Sequence, residues 1–304
     1  MSNVSVLPST ELVHTPMSGS PTFKAFARFA RTQPLGVIAL VLIAVMLVAG
    51  SFAPQLAPFS PLDARFDAVL QPPSAEHWFG TDNYGRDVFS RILHGTRPAL
   101  LLGISTALIG SLIGAAVGTA SAYFGGRIDA LLQRANDVLL SIPLIVAALV
   151  VVAVLGKNMV AGVDLNLMLA IILPYIPVMA RVMRTAAMGV RVSPYIDAAR
   201  ALGFSHLRII VRHMLPNLVS PWLVMVSAFT AQTILLEASL SFLGVGVSEP
   251  TPAWGLMLSG VSVETLTSAP WVILFPGLAI SLTVFSFSLL GDALRDALDP
   301  RTRH

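Results

Sequence analysis

Apolar residues run almost unbroken through several stretches of about twenty positions, and the segments between them hold nearly all of the charge. A helix needs about twenty residues to cross a hydrocarbon layer of about 30 Å. The stretches fall at 35–52, 99–123, 138–155, 167–183, 223–243 and 271–290. They predict an all-α integral membrane chain with about six transmembrane helices. Turn residues punctuate several ends: Pro34 and Pro54 flank the first stretch, Pro98 opens the second, Gly125 and Gly126 close it, and Pro270 precedes the last. The second stretch carries Gly103, Gly110, Gly114 and Gly118 at spacings of four to seven. In lipid, such small residues let helix backbones approach closely.

This pattern divides the chain into an N-terminal segment at 1–33, a first helix with an extracytoplasmic segment at 34–97, a five-helix core at 98–291 and a tail at 292–304. The first 32 residues lack an apolar run followed by a small-residue cleavage site, so the first apolar stretch is expected to stay in the membrane. Composition agrees, with 55% hydrophobic residues, 12% charged residues and a mean hydropathy of +0.78. A soluble domain carries about twice that charge.

Placing both termini in the cytoplasm puts fourteen of the nineteen Lys and Arg residues inside, among them Arg127, Arg134, Arg184 and Arg191. Arg65, Arg86, Arg91, Arg97 and Lys157 are then outside. That asymmetry sets the predicted orientation. The basic residues are scattered among loops and form no nucleic-acid patch. With no cysteine there is neither disulfide nor thiolate chemistry. The two lysines complete no phosphate-binding loop, and the six histidines lie outside the apolar stretches. No catalytic residue, metal site or cofactor of the chain itself is expected.

One polar segment, 184–217, is too ordered for a plain connector. Ser193 is placed to cap a helix that starts at Pro194, and Asp197 falls in its first turn, where the helix dipole favours negative charge. Tyr195, Ala198, Ala199 and Leu202 share a face, and Gly203 supplies a left-handed stop. A second amphipathic helix follows, with Leu207, Ile210, Val211 and Met214 on one side and Arg208 and Arg212 on the other, and Pro216 is expected to end it. By periodicity alone this elbow could also be an amphipathic helix resting on a lipid surface.

The residues themselves add more. Asp197-Ala198-Ala199, then Gly203, then Leu215-Pro216 resembles the signature of permease subunits of ABC importers, Glu-Ala-Ala, three residues, Gly, nine residues, Ile, one residue, Leu-Pro. Asp197 stands where that signature has Glu, and His213 where it has Ile, with Met214 beside it as the apolar residue. Gly80-Thr81-Asp82, Gly85-Arg86-Asp87, Leu240-Ser241-Phe242-Leu243-Gly244, Pro252-Ala253-Trp254-Gly255 and the tail from Gly291 to Pro300 resemble the dipeptide, oligopeptide and nickel class, in particular the second permease of the pair. The resemblance implies a type I importer permease fold in the bacterial inner membrane. It also implies a homologous second permease, two ATP-binding subunits that hold ATP and Mg, and an extracytoplasmic solute-binding protein. Asp197, Ala198, Ala199, Arg200, Ala201, Leu202, Gly203, Leu215 and Pro216 would then couple to the ATPase, in an alternating-access cycle that carries di- or oligopeptides. A nickel chelate, glutathione or another small solute is the alternative cargo.

Glu237 lies within the fifth apolar stretch. A carboxyl there either faces a translocation path or is hydrogen-bonded in helix packing. Two other functions compete: a gradient-driven secondary transporter, which usually needs several such groups, and a membrane assembly factor, which would leave the capped elbow without a purpose. In the extracytoplasmic segment, Arg86 and Asp87 are read as part of a structural charge network.

Overall fold

The computed structural model describes residues 29–160, 163–261 and 263–298. The sequence readings on 1–28 and 299–304, including Lys24, Arg28, Pro300, Arg301 and Arg303, lie outside the described residues. The main helices are α1 (Pro34–Ser51), α2 (Val88–Phe124), α3 (Gly126–Leu140), α4 (Leu144–Leu155), α5 (Leu165–Arg191), α6 (Pro194–Ala201), α7 (His206–Phe242), α8 (Trp254–Leu258) and α9 (Trp271–Leu298). Met159–Val160 and Val163–Asp164 form a two-residue antiparallel ladder between α4 and α5. Among the described residues, α1, α2, α5, α7 and α9 are each long and apolar enough to cross a membrane, and α3 with α4 makes a sixth, bent candidate.

Four boundaries differ from the sequence reading. The second helix begins at Val88 rather than at Pro98, because Asp87 caps it: its carboxylate accepts from the Ser90 amide at 2.8 Å and the Ser90 hydroxyl at 2.7 Å. Pro98 is accommodated inside at the loss of one backbone bond. At 37 residues α2 is ~55 Å long and extends beyond the hydrocarbon. The third apolar stretch is not one helix: the chain breaks before Pro143, and α3 and α4 meet at 83°. The fourth helix runs on to Arg191, so the elbow proper starts at Val192. The last helix continues through Gly291 to Leu298, so the first part of the expected tail is helical.

Glycines decide how α2 packs. A Cβ on Gly114 would stand 2.6 Å from the Met179 Cβ, and one on Gly118 would overlap the Ala180 carbonyl oxygen of α5. On the neighbouring face a Cβ on Gly103 would come within 2.5 Å of Ile234 in α7. Gly118→Val is therefore expected to push α2 off α5, with a loss of about 3 kcal/mol or more, because rigid backbone cannot yield as a side-chain end would. A thermal-unfolding series in detergent checks it, with Gly277→Ala in α9 as control, since nothing lies within 4 Å of a Cβ there and its backbone is helical.

Two apolar cores result. One joins α2 from Leu102 to Tyr123 with α4, α5, α6 and α7 from Ile209 to Leu240, and includes Met183, Ile196 and Met214. The other joins α1, the Val88 end of α2, the last part of α7, α8 and α9, and includes Ile43, Ile234, Trp254 and Phe287. Outward faces remain apolar, as on α1 with Ile38, Val41, Val45 and Val48, which suits lipid.

Candidate functional site

The elbow is built by short-range rules. Pro194 starts α6, and Ser193 holds the N-cap position with extended backbone, although its hydroxyl makes no capping bond; the Ser193 carbonyl instead accepts from the Ile196 amide at 2.9 Å. Asp197 pairs with Arg200 one turn on, at 3.3 Å. Gly203 adopts φ +73°, and the Gly203 and Phe204 amides close the helix end on the carbonyls of Arg200 and Ala199. Ser205 then caps the next helix, accepting from the Arg208 amide.

That next helix does not stop at Pro216. It passes through a π turn at Ile210–Met214, where the Leu215 amide donates to the Ile210 carbonyl, and continues to Phe242. Pro216 has no amide to offer the carbonyl four residues back, and the wider turn just before it absorbs the mismatch. Leu215 and Pro216 thus belong to the start of a long spanning helix and not to the end of a short one.

Of the face predicted for α6, only Ala199 turns inward, together with Ile196; Tyr195, Ala198, Ala201 and Leu202 are exposed, Leu202 by 72%. Met214 is buried beside His213, as the apolar role assigned to it requires. Ile196, Ala199, Ile209 and Met214 sit in the same core as Tyr123, Met183 and Ala187. The elbow is therefore packed as one body with α2, α5 and α7, and its outer face is left for something else.

Polar contacts that the sequence did not reveal fix this body from below. The Tyr123 hydroxyl and His206 Nδ1 are 2.8 Å apart, and the Arg200 guanidinium lies 5.4 Å from the Tyr123 ring centroid. Arg191 donates to the Ala122 carbonyl at 2.8 Å. Arg184 grips Asp129 with two bonds, at 2.7 and 2.6 Å, and Ser121 donates to the same carboxylate. Apart from Ser121 and Asp129, which are eight residues apart, these partners are separated by 55 to 83 residues, and no local spacing marks them.

At the other end of α7 lies Glu237, ~30 Å along the helix from Pro216, so it is not part of the elbow. It is buried, accepts a 2.7 Å bond from the Ser241 hydroxyl, and Ser241 in turn accepts from the Val247 amide. Glu237 borders a cavity of about 20 Å³ with Asp164, Thr251 and Trp254. That volume suffices for one water.

Beyond it, the segment between α1 and α2 folds onto the loop before α8. Arg86 binds Asp82 at 2.7 Å and Glu249 at 2.7 and 3.3 Å, while the fully buried Arg91 lies 3.7 Å from Asp82 and 3.6 Å from Glu249. Burial opposes the charge of Arg86, yet the two carboxylates hold its pKa above the ordinary guanidinium value. Asp87 is engaged with His77, at 2.9 Å, and with the α2 cap. A side chain at Gly85 would strike the Arg65 carbonyl, which accounts for the glycine before Arg86.

Over residues 108–304 the chain matches the family described as binding-protein-dependent transport system inner membrane component. Over residues 20–73 it matches the N-terminal TM domain of oligopeptide transport permease C. It is 40% identical over 285 residues to a dipeptide transport system permease protein of Alkalihalophilus pseudofirmus, covering 93% of this chain and 91% of that one. It is 38% identical over 302 residues to a glutathione transport system permease protein of Escherichia coli O157:H7, covering 98% and 96%. A second glutathione permease, of Pectobacterium atrosepticum, is 39% identical over 288 residues, covering 93% and 92%. A multi-pass helical chain with a packed elbow and matches of this extent is a membrane permease component, and it belongs to the family of binding-protein-dependent transport system inner membrane components.

Proposed function

We propose that the chain forms one half of the translocation path of an ATP-driven importer for di- or oligopeptides. Its partners are a homologous permease, two ATP-binding subunits that supply ATP hydrolysis, and an extracytoplasmic binding protein that delivers the solute. The observation that carries this reading is the elbow: α6 is seated in one core with α2, α5 and α7, while Tyr195, Ala198, Ala201 and Leu202 remain uncovered. A push on that face is transmitted to three spanning helices without bending a loop. The elbow end of the bundle is cytoplasmic on this reading, and the cluster of Arg86, Arg91, Asp82 and Glu249 faces outward. The peptide cargo is supported by the dipeptide permease at 40% identity. Glutathione, itself a short peptide, is favoured by the permeases named for it at 38% and 39%.

The test is uptake into proteoliposomes that contain the assembled importer. ATP-dependent accumulation of labelled dipeptide is expected, with glutathione as competitor to rank the two cargoes. Accumulation driven by an ion gradient without the ATPases would sink the proposal.

A further inference from the structure

Helix α3 is turned inside out compared with a helix at a water surface. Most of its polar side faces the protein: Asp129 holds Arg184, Gln133 donates to Ser121 and Asn136 is buried, while Asp137 pairs with Arg181 at the surface. Its apolar side faces away, with Ile128 at 48%, Leu131 at 70% and Val138 at 66% exposure, and with Leu139 beside them. These positions fall on one stripe of about 100°. Helix α3 follows the Gly125 end of α2 and pairs with Arg184 and Arg181 of α5, and an 83° bend separates its axis from that of α4.

Charge identifies what covers the stripe. Asp129 and Asp137 are neutralised by Arg184 and Arg181. Arg127 and Arg134 lie along one edge of the stripe, are exposed, and take part in no ion pair among the described residues. An apolar stripe edged by uncompensated guanidiniums suits the headgroup layer of an anionic leaflet. A helix of another subunit would match the stripe only if it set an acidic residue against each guanidinium.

We propose that α3 is an interfacial helix, with Ile128, Leu131 and Val138 in the acyl boundary and Arg127 and Arg134 on the phosphates of anionic lipid headgroups. That the leaflet is the cytoplasmic one rests on the orientation proposed above; the lipid contact itself does not.

A photoreactive benzophenone residue at Leu131 tests it, in the full chain assembled with its permease and ATPase partners in nanodiscs of phosphatidylcholine and phosphatidylglycerol at 4:1. The expected photoproducts are lipid adducts in which the ratio of phosphatidylglycerol to phosphatidylcholine exceeds the bulk ratio by about fivefold per arginine. In the double variant Arg127→Gln, Arg134→Gln that ratio is expected to return to the bulk value. Both side chains are exposed, so the variant keeps its fold. Adducts to the second permease, or lipid adducts at the bulk ratio in the unaltered chain, would overturn the proposal. Adduct identity is read without transport, so loss of ATP-driven uptake with enrichment intact would count against the importer reading alone.

Discussion

Leu202→Asp is expected to abolish ATP-driven uptake while leaving the folded chain in the membrane. Leu202 closes α6 with 72% of its surface exposed, and its removal takes nothing from the core. If the exposed face of the elbow seats in an ATPase subunit, a carboxylate placed there must be desolvated against an apolar groove. Losses at such interface centres run to about 2–4 kcal/mol, a roughly 30-fold to 1,000-fold weaker association. Copurification with the ATPase is expected to fail, and thermal unfolding of the chain in detergent is expected to stay unchanged. Ile196→Asp provides the contrast, since Ile196 is buried in the shared core and its replacement is expected to unfold the elbow itself. Retained uptake and copurification in Leu202→Asp would remove the elbow from the coupling role.

The second large effect is expected from Arg86→Ala. Arg86 joins Asp82, in its own segment, to Glu249, which is 163 residues away. Its removal leaves Asp82, nearly buried, without its strongest partner, and Arg91 alone with two carboxylates at 3.6 to 3.7 Å. Breaking a buried pair from one side costs about 3–5 kcal/mol. The lower end applies here, because the Glu249 side chain keeps 43% of its exposure and can recover water. The loop before α8 should then detach, which limited proteolysis of the chain in detergent would detect as new cleavage near Glu249. Arg86→Lys should restore little, because an ammonium cannot bridge the two carboxylates with the geometry of a guanidinium. Cleavage unchanged from the parent chain would mean that Trp254, bonded to the Ile92 carbonyl at 3.0 Å, holds the loop alone.

The elbow was the most legible part of the site. Its start at Pro194, its stop at Gly203 and the inward place of Met214 all follow from neighbours within a few residues, and the observed backbone has each of them. Two readings of helix ends, one in α2 and one at the elbow, failed for one reason. Pro98 and Pro216 were taken as helix ends, yet each lies in a continuing helix whose packing outweighs one lost backbone bond. Pro143 does break its helix, and its local sequence is no more emphatic. The difference lies in what the flanking turns pack against.

Apolar run lengths, glycine spacing and charge asymmetry by themselves determined that this is a helical membrane chain with about six crossings, and where its elbow lies, because helix length and hydrocarbon thickness are local quantities. Only the tertiary structure decided which face of α6 is free and that the third stretch folds into two helices at 83°. It alone brought Asp129 to Arg184 and Arg86 to Glu249. Those outcomes depend on atoms far apart in the chain, whose approach is set by where glycines such as Gly118 allow two backbones to touch.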